Sequence, residues 1–256
     1  MTGTSPIALI TGASSRIGSA IARDLGAHGW RLVLHAHRND AAARQLAAEI
    51  VSDHGGPAPH VISGDLRRQD ELAGIFEAAS APFGTPQVLI NNASIFEDDG
   101  IGRLDPDLFD AHFAIHTKAP LFLADALAGA LSPESKGLIV NIIDQRVLKP
   151  TPQAISYSLS KAALWSATQI LAQALAPTIR VNGIGPGPSF RNERQSEAEF
   201  ARQAGAVLLG KGPDPEEFGR TIRYLWETPS ITGQMIALDG GQHLAWRTPD
   251  VIDVGE

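Results

Sequence analysis

In the stretch "YSLSK", Tyr157 and Lys161 stand four residues apart, so on a helix they share one face. A free phenol titrates near ~10. A lysine ammonium beside it stabilises the phenolate and draws that value down. A tyrosine so placed is a proton donor usable near neutral pH. The plain alternative is a tyrosine and a lysine on a helix surface. The chain has only two tyrosines, which counts against a chance pairing.

A second stretch, "LITGASSRIGSA" from Leu9 to Ala20, has the form of a phosphate-holding turn. Gly12 and Gly18 flank the turn between an apolar run and an amphipathic one. Glycine lets backbone approach a phosphate, and a helix N-terminus offers free N–H groups and a positive dipole end. Five residues separate the glycines and Ser19 stands where a Walker loop has lysine, so this is not a nucleotide-triphosphate loop. Arg16 occupies a place where such turns usually carry another glycine. After the second β-type run, "LHAHRND" offers His37 and Arg38 where an acidic residue would accept from an NAD ribose. A guanidinium suits a 2′-phosphate, and Arg16 reaches the same group from the turn. Together they point to NADPH. The alternatives are an ordinary strand–helix turn and two solvated surface cations.

Several elements must position these groups. Short β-type runs ("IALI", "RLVLH", "HVIS", "QVLIN", "GLIVNII", "TIRVNGI", "QMIAL") alternate with alanine-rich helical stretches. The helices are expected at about Ile17–His28, Asp40–His54, Gln69–Ser80, a long one ending near Gly129, Tyr157–Ala174 and Pro215–Glu227. Seven β runs separated by helices predict an α/β fold, a Rossmann-type doubly wound parallel seven-stranded sheet with helices on both faces. Such sheets bind ligands at the carboxyl ends of their strands, where Asn91, Asn141 and Gly185 fall. No linker divides residues 1–256, so one domain is expected. The segment 185–213, rich in glycine, proline and charge, reads as a lid or as a surface excursion. The tail after Trp246 is loose or docks on a neighbouring subunit.

Composition narrows the function. Apolar residues make up 43% and charged residues 19%, as in a soluble globular protein. The formal charge of −7 argues against a nucleic-acid partner. The absence of cysteine excludes disulfides, thiol nucleophiles and cysteine metal sites. No His/Asp/Glu spacing suggests a metal site. No apolar run nears a membrane span, and no secretion signal is evident, so the cytoplasm is the expected compartment.

Five motifs in order, "TGASSRIG", "NNAS", "YSLSK", "NGIGPGPS" and "DGG", resemble the short-chain dehydrogenase/reductase family over nearly the whole chain. Arginine in the glycine turn, "HAHR", "NNASIF" and an aspartate before the tyrosine resemble its pteridine reductase branch, including dihydromonapterin and dihydrofolate reductases. The resemblance implies NADPH as cofactor and a pterin or folate as small-molecule substrate. It implies a cofactor cradle of Gly12, Ser14, Arg16, Ile17 and Gly18. His37, Arg38 and Asn39 would follow at the second strand, and Asp65 and Leu66 near the adenine. Asn91, Ala93 and Ser94 would line the middle of the cofactor, and Pro186, Gly187 and Ser189 its far side. Tyr157 and Lys161 would also touch it, Lys161 holding the nicotinamide ribose. Ser94, Phe96, Asp144 and Tyr157 would meet substrate, with Phe96 stacked on a flat ring. A homotetramer is implied as well. Buried packing for Phe96 and a helix cap for Asp65 are the plain alternatives.

Asp144 lies thirteen residues before Tyr157, where most of the family has serine. A carboxylate there repels a developing oxyanion and opposes tyrosine ionisation. It suits a C=N bond, whose reduction leaves a nitrogen that needs a proton. The catalytic set is therefore Asp144, Tyr157 and Lys161. Asp144 paired with Arg146 as a loop former is the alternative. The competing activities are a carbonyl reductase acting on 3-oxoacyl-type ketones and a catalytically silent NADPH-binding regulator. His116 stands where the family usually has an asparagine that holds a relay water. Arg191 and Arg194 in the expected lid either meet a folate glutamate or remain solvated.

Overall fold

The computed structural model describes residues 5–37, 40–191, 195–248 and 252. In chain order the strands are Ile7–Ile10 (β1), Arg31–Ala36 (β2), His60–Ser63 (β3), Val88–Asn91 (β4), Gly137–Ile142 (β5), Ile179–Pro186 (β6) and Met235–Leu238 (β7). They form one sheet in the order β3-β2-β1-β4-β5-β6-β7, parallel throughout. The strand order reverses between β1 and β4, so a crevice opens at the carboxyl ends of those two strands.

Helices Arg16–Ala27 (α1), Asp40–His54 (α2) and Gln69–Ser80 (α3) follow the first three strands. Pro106–Phe113 (α4), a π-helical turn at Ala114–Lys118 and Ala119–Ala130 (α5) follow β4. Ile155–Ala174 (α6) follows β5, and Glu197–Gly205 (α7) and Glu216–Glu227 (α8) follow β6. Because strand side chains alternate, each strand feeds two cores. Ala8, Ile10, Leu34 and Ile90 meet Ile21, Leu25 and Phe218 on one face. Leu9, Val33, Leu89 and Ile139 meet Phe76, Leu123 and Leu127 on the other. No described helix is long and apolar enough to cross a membrane.

Two expectations are corrected here. The long helix ending near Gly129 is interrupted. Pro120 lacks an N–H to donate to the carbonyl four residues back, at His116, and its ring crowds that carbonyl. The chain widens into a π-turn there. The segment 185–213 is more regular than expected. β6 runs on through Pro186, and α7 is closed by a capping box in which Ser196 and Glu199 bond each other reciprocally. The "SEAE" spacing carried that signal.

The glycine turn is packed against the sheet with no room to spare. A methyl group on Gly18 would lie 2.3 Å from the Gly12 carbonyl oxygen and 2.6 Å from Asn92 Nδ2. Gly18→Ala is expected to destabilise the fold by roughly 1–3 kcal/mol. Gly74→Ala on α3 would meet nothing within 4 Å and is expected to gain about 0.5–1 kcal/mol. Denaturant unfolding of both variants checks the pair, and a neutral Gly18→Ala would contradict the packing.

Candidate active site

A cavity of about 740 Å³ opens at the crevice between β1 and β4. Its floor begins at Gly12, whose φ of 62° only glycine adopts freely and whose added Cβ would stand 2.8 Å from Ala93 Cα. Asn92 braces this turn, its Nδ2 donating to the carbonyls of Thr11 and Gly12 at 2.9 Å each. His35, buried on β2, accepts the Gly12 N–H at Nδ1 and lies 3.1 Å from the Gly64 carbonyl through Nε2. Burial pushes this imidazole down to about 4, so it is neutral, with its proton on Nε2. Neither residue was singled out from the sequence. The second asparagine of "NNAS" was the visible signal for Asn92; His35 had none.

Arg16 is held at φ 47°, in the left-handed region. A non-glycine residue there costs roughly 1–2 kcal/mol. The exposed cation borders the cavity at the first turn of α1, where Ser15 makes no side-chain cap and no acidic residue competes. Ile17 also lines the cavity, whereas Ser14 and Gly18 lie in the turn without facing it. His37 lines the adenine-side end, 3.4 Å from Asp65 Oδ2. Arg67 donates to Asp65 from its backbone N–H and its guanidinium. That pairing holds the Asp65 carboxyl well below the usual range. The residue capping α3 is Arg68, so Asp65 is not a helix cap. Leu66 lines the same end. Arg38, Asn39 and Arg194 lie outside the described residues.

Asn91 departs from expectation: it does not face the cavity. Its Nδ2 donates to Asn141 Oδ1 at 2.8 Å, and Asn141 in turn donates to Thr168, so it joins β4 to β5 and α6. Ala93, Ser94 and Phe96 do line the cavity, as do Pro186, Gly187 and Ser189 across from them. Ser189 Oγ donates to the Gly187 carbonyl at 3.0 Å. Arg191 is exposed and bonds the Gln195 carbonyl.

The chemical centre lies where β5 ends and α6 begins. Asp144 Oδ1 accepts the Arg146 N–H at 2.8 Å and so caps the short turn Gln145–Val147. Its other oxygen, Oδ2, accepts from the Tyr157 hydroxyl at 2.9 Å. The Arg146 guanidinium lies 5.4 Å from the Phe96 ring centroid, and that ring stands edge-on to Tyr157 at 4.7 Å. Asp144 therefore does more than shape its loop.

Of the two opposed effects expected on the phenol, that of Asp144 prevails. Lys161 was expected to draw the phenol down. Burial, the Asp144 charge and the Asp144 hydrogen bond push Tyr157 well above its ordinary value, against Arg146 and Arg16. The reason is geometric. Lys161 Nζ donates to the Ile142 carbonyl at 2.8 Å and lies 5.8 Å from the phenol ring centroid, while Asp144 touches the hydroxyl. The site is a protonated phenol held on a carboxylate, with a buried ammonium behind it. It can hold and move protons at one end of the 740 Å³ cleft. Asp99, His112, Ser156 and Ser160, buried behind Tyr157, were also missed; the paired four-residue spacings were their signal.

The sequence profile of the family described as short chain dehydrogenase matches residues 6–198. A 3-oxoacyl-[acyl-carrier-protein] reductase of Synechocystis sp. is 30% identical over 243 residues, covering 93% of this chain and 97% of that protein. The crystal structure of FolM alternative dihydrofolate reductase 1 from Brucella suis in complex with NADP superposes with a TM-score of 0.93. It is 49% identical and covers 98% of this chain and 100% of that one. The Brucella canis protein of the same name, also complexed with NADP, has a TM-score of 0.90 and 48% identity, covering 97% of this chain and 98% of that one.

Burial pulls Lys161 from 10.5 down to about 8, with Asp144 opposing. The unfolded chain therefore keeps this proton to higher pH than the folded one. Between about 8 and 10.5 the lysine's contribution to stability rises with pH, because the cost of burying its charge is relieved. Wild type is expected to gain on Lys161→Met in unfolding free energy across that window. A gap independent of pH would contradict the placement.

Proposed function

The chain belongs to the short chain dehydrogenase family, and on that footing we propose that it is an NADPH-dependent reductase of a C=N bond in a pterin or folate ring. The observation that carries this reading is the Tyr157–Asp144 hydrogen bond at 2.9 Å. A ketone reductase needs a neutral donor beside the oxygen that becomes negative, and a carboxylate is the wrong group there. A ring nitrogen that takes up a proton, so that a cationic iminium receives the hydride, is favoured by the same carboxylate. A second reading, a 3-oxoacyl-type carbonyl reductase, draws on the Synechocystis relative and is opposed by Asp144. The Tyr157–Lys161 pair counts against a catalytically silent NADPH-binding regulator.

The cleft fits the cofactor. Gly12 and the uncapped start of α1 receive the diphosphate. Arg16 and His37, with Arg38 and Asn39, take the 2′-phosphate end. Asp65 and Leu66 border the adenine. Ala93, Ser94, Pro186, Gly187 and Ser189 enclose the nicotinamide side, with Lys161 and Tyr157 at the ribose. Bound NADPH supplies the hydride. Phe96, backed by Arg146, gives a flat substrate ring an aromatic wall, and Ser94 gives it a hydroxyl partner. Tyr157 holds a proton at its hydroxyl, donated to Asp144 in the free cleft, and this pair hands a proton to the reacting nitrogen once substrate is in place. Residues 1–256 act as one domain in this reading, with 185–213 closing over the cleft. Exposed Phe109, Phe122, Leu159 and Ile170 on α4, α5 and α6 give an apolar face for a homotetramer. The enzyme works in the cytoplasm with no nucleic-acid or membrane partner.

NADPH oxidation is expected with dihydromonapterin, dihydrobiopterin or dihydrofolate and not with a panel of ketones; turnover of ketones alone would overturn the assignment. Asp144→Ser is expected to slow pterin reduction by roughly 10²-fold while creating ketone reduction, and an unchanged pterin rate would remove the role given to the carboxylate. Titration with each cofactor tests the phosphate site: Arg16→Glu is expected to weaken NADPH at least about tenfold more than NADH, and equal losses would contradict it.

A further inference from the structure

Behind Tyr157 lies a second layer of buried polar groups. His112 on α4 and His116 in the π-turn face Ser156 and Ser160 on α6, and all four are buried. His112 Nδ1 lies 2.7 Å from Ser156 Oγ, and His116 Nδ1 lies 2.8 Å from Ser160 Oγ. The two imidazoles stack at 5.6 Å between centroids. The Tyr157 ring stands nearly perpendicular to both, at 5.9 and 5.3 Å.

Donor directions fix the tautomer of His116. The Ile95 N–H donates to Nε2 at 3.3 Å, so Nε2 carries no proton and Nδ1 does. Nδ1–H then donates to Ser160 Oγ, whose own hydroxyl donates to the Tyr157 carbonyl at 2.7 Å. Ser94 Oγ lies 2.9 Å from Nε2 and donates to it. Both ring nitrogens are thus engaged by protein. The ring joins Ser94 and Ile95, next to Phe96, to the turn of α6 that carries Tyr157. Burial, Lys161 and His112 hold it neutral. A charged ring would set a second N–H against that of Ile95.

The bracket has mechanical reason to exist. α6 opens at Ala154, left-handed at φ 48° and without a side-chain cap. Asp99, from the loop after β4, accepts the Ser156 N–H at 3.1 Å and 3.3 Å to its two oxygens. The catalytic end of α6 is therefore held by groups from the β4–α5 connection rather than by its own sequence.

We infer that His116 is a positioning residue, a dry bracket that sets Phe96 and Tyr157 in register, and that it neither holds a relay water nor passes protons. The inference rests on the reductase reading above for its kinetic test. His116→Asn restores the side chain most of the family is expected to carry there. Its kcat is expected to fall by roughly 10–100-fold, with the NADPH dissociation constant unchanged. Ser160→Ala is expected to show the same split, and the double variant no more than the larger single loss. A His116→Asn kcat at or above wild type, or losses that multiply, would overturn the bracket. Amide hydrogen exchange of the free protein gives a readout without substrate: the Ile95 amide is expected to exchange at least about tenfold faster in His116→Asn. Should wild type reduce no dihydropterin, the substrate reading falls by itself, and unchanged Ile95 protection would then overturn the bracket.

Discussion

A phenol buried against a carboxylate is the constraint on which the rest of the site depends. Tyr157, itself buried, donates to the half-buried Asp144 at 2.9 Å in the wall of the cleft. A second negative charge there is costly, so the phenol keeps its proton. The carboxylate in turn needs positive surroundings, which Arg16, Arg146 and Lys161 supply without taking the hydroxyl away. The result is a reacting centre that carries a negative charge before substrate arrives. In the function we propose, that charge disfavours a developing oxyanion and favours a nitrogen that takes up a proton.

The fold serves this contact from three directions. β5 delivers Asp144 two residues past its end, where the Arg146 N–H fixes the carboxylate. α6 delivers Tyr157 and Lys161 on one face. The connection after β4 delivers Phe96 against the phenol and supplies the imidazole and carboxylate that hold the start of α6. Pro120 matters to this arrangement because it opens the π-turn in which His116 sits. The glycine turn pays in backbone strain for Arg16, at a φ that glycine would take freely. A cation in that position is thus worth more to the protein than relaxed geometry.

Much of this was legible in the chain. Strand runs and alanine-rich helices marked the sheet because apolar patterning decides burial, and the order of motifs placed Tyr157, Lys161, Asp144, Phe96 and the glycine turn. Three things were not. The sign of the Tyr157 shift depends on which charge touches the hydroxyl, and spacing along a helix does not show that Lys161 Nζ turns to the Ile142 carbonyl. Asn91 and Asn92 are adjacent and identical in type, yet the first, the last residue of β4, joins β5 while the second, just past the strand, braces the turn. The clasp of His112, His116, Ser156 and Ser160 shows in the chain only as two four-residue spacings, and these do not say which helix packs on which.

The most direct measurement is the ultraviolet titration of the Tyr157 phenol. The chain has two tyrosines, so a Tyr224→Phe background leaves Tyr157 as the sole phenol. With Asp144 present, the phenol is expected to remain protonated well above its ordinary value of 10. Asp144→Asn in the same background is expected to lower its ionisation by at least one pH unit, about 1.4 kcal/mol. A phenol that ionises at or below the ordinary value, or one indifferent to Asp144, would contradict the account.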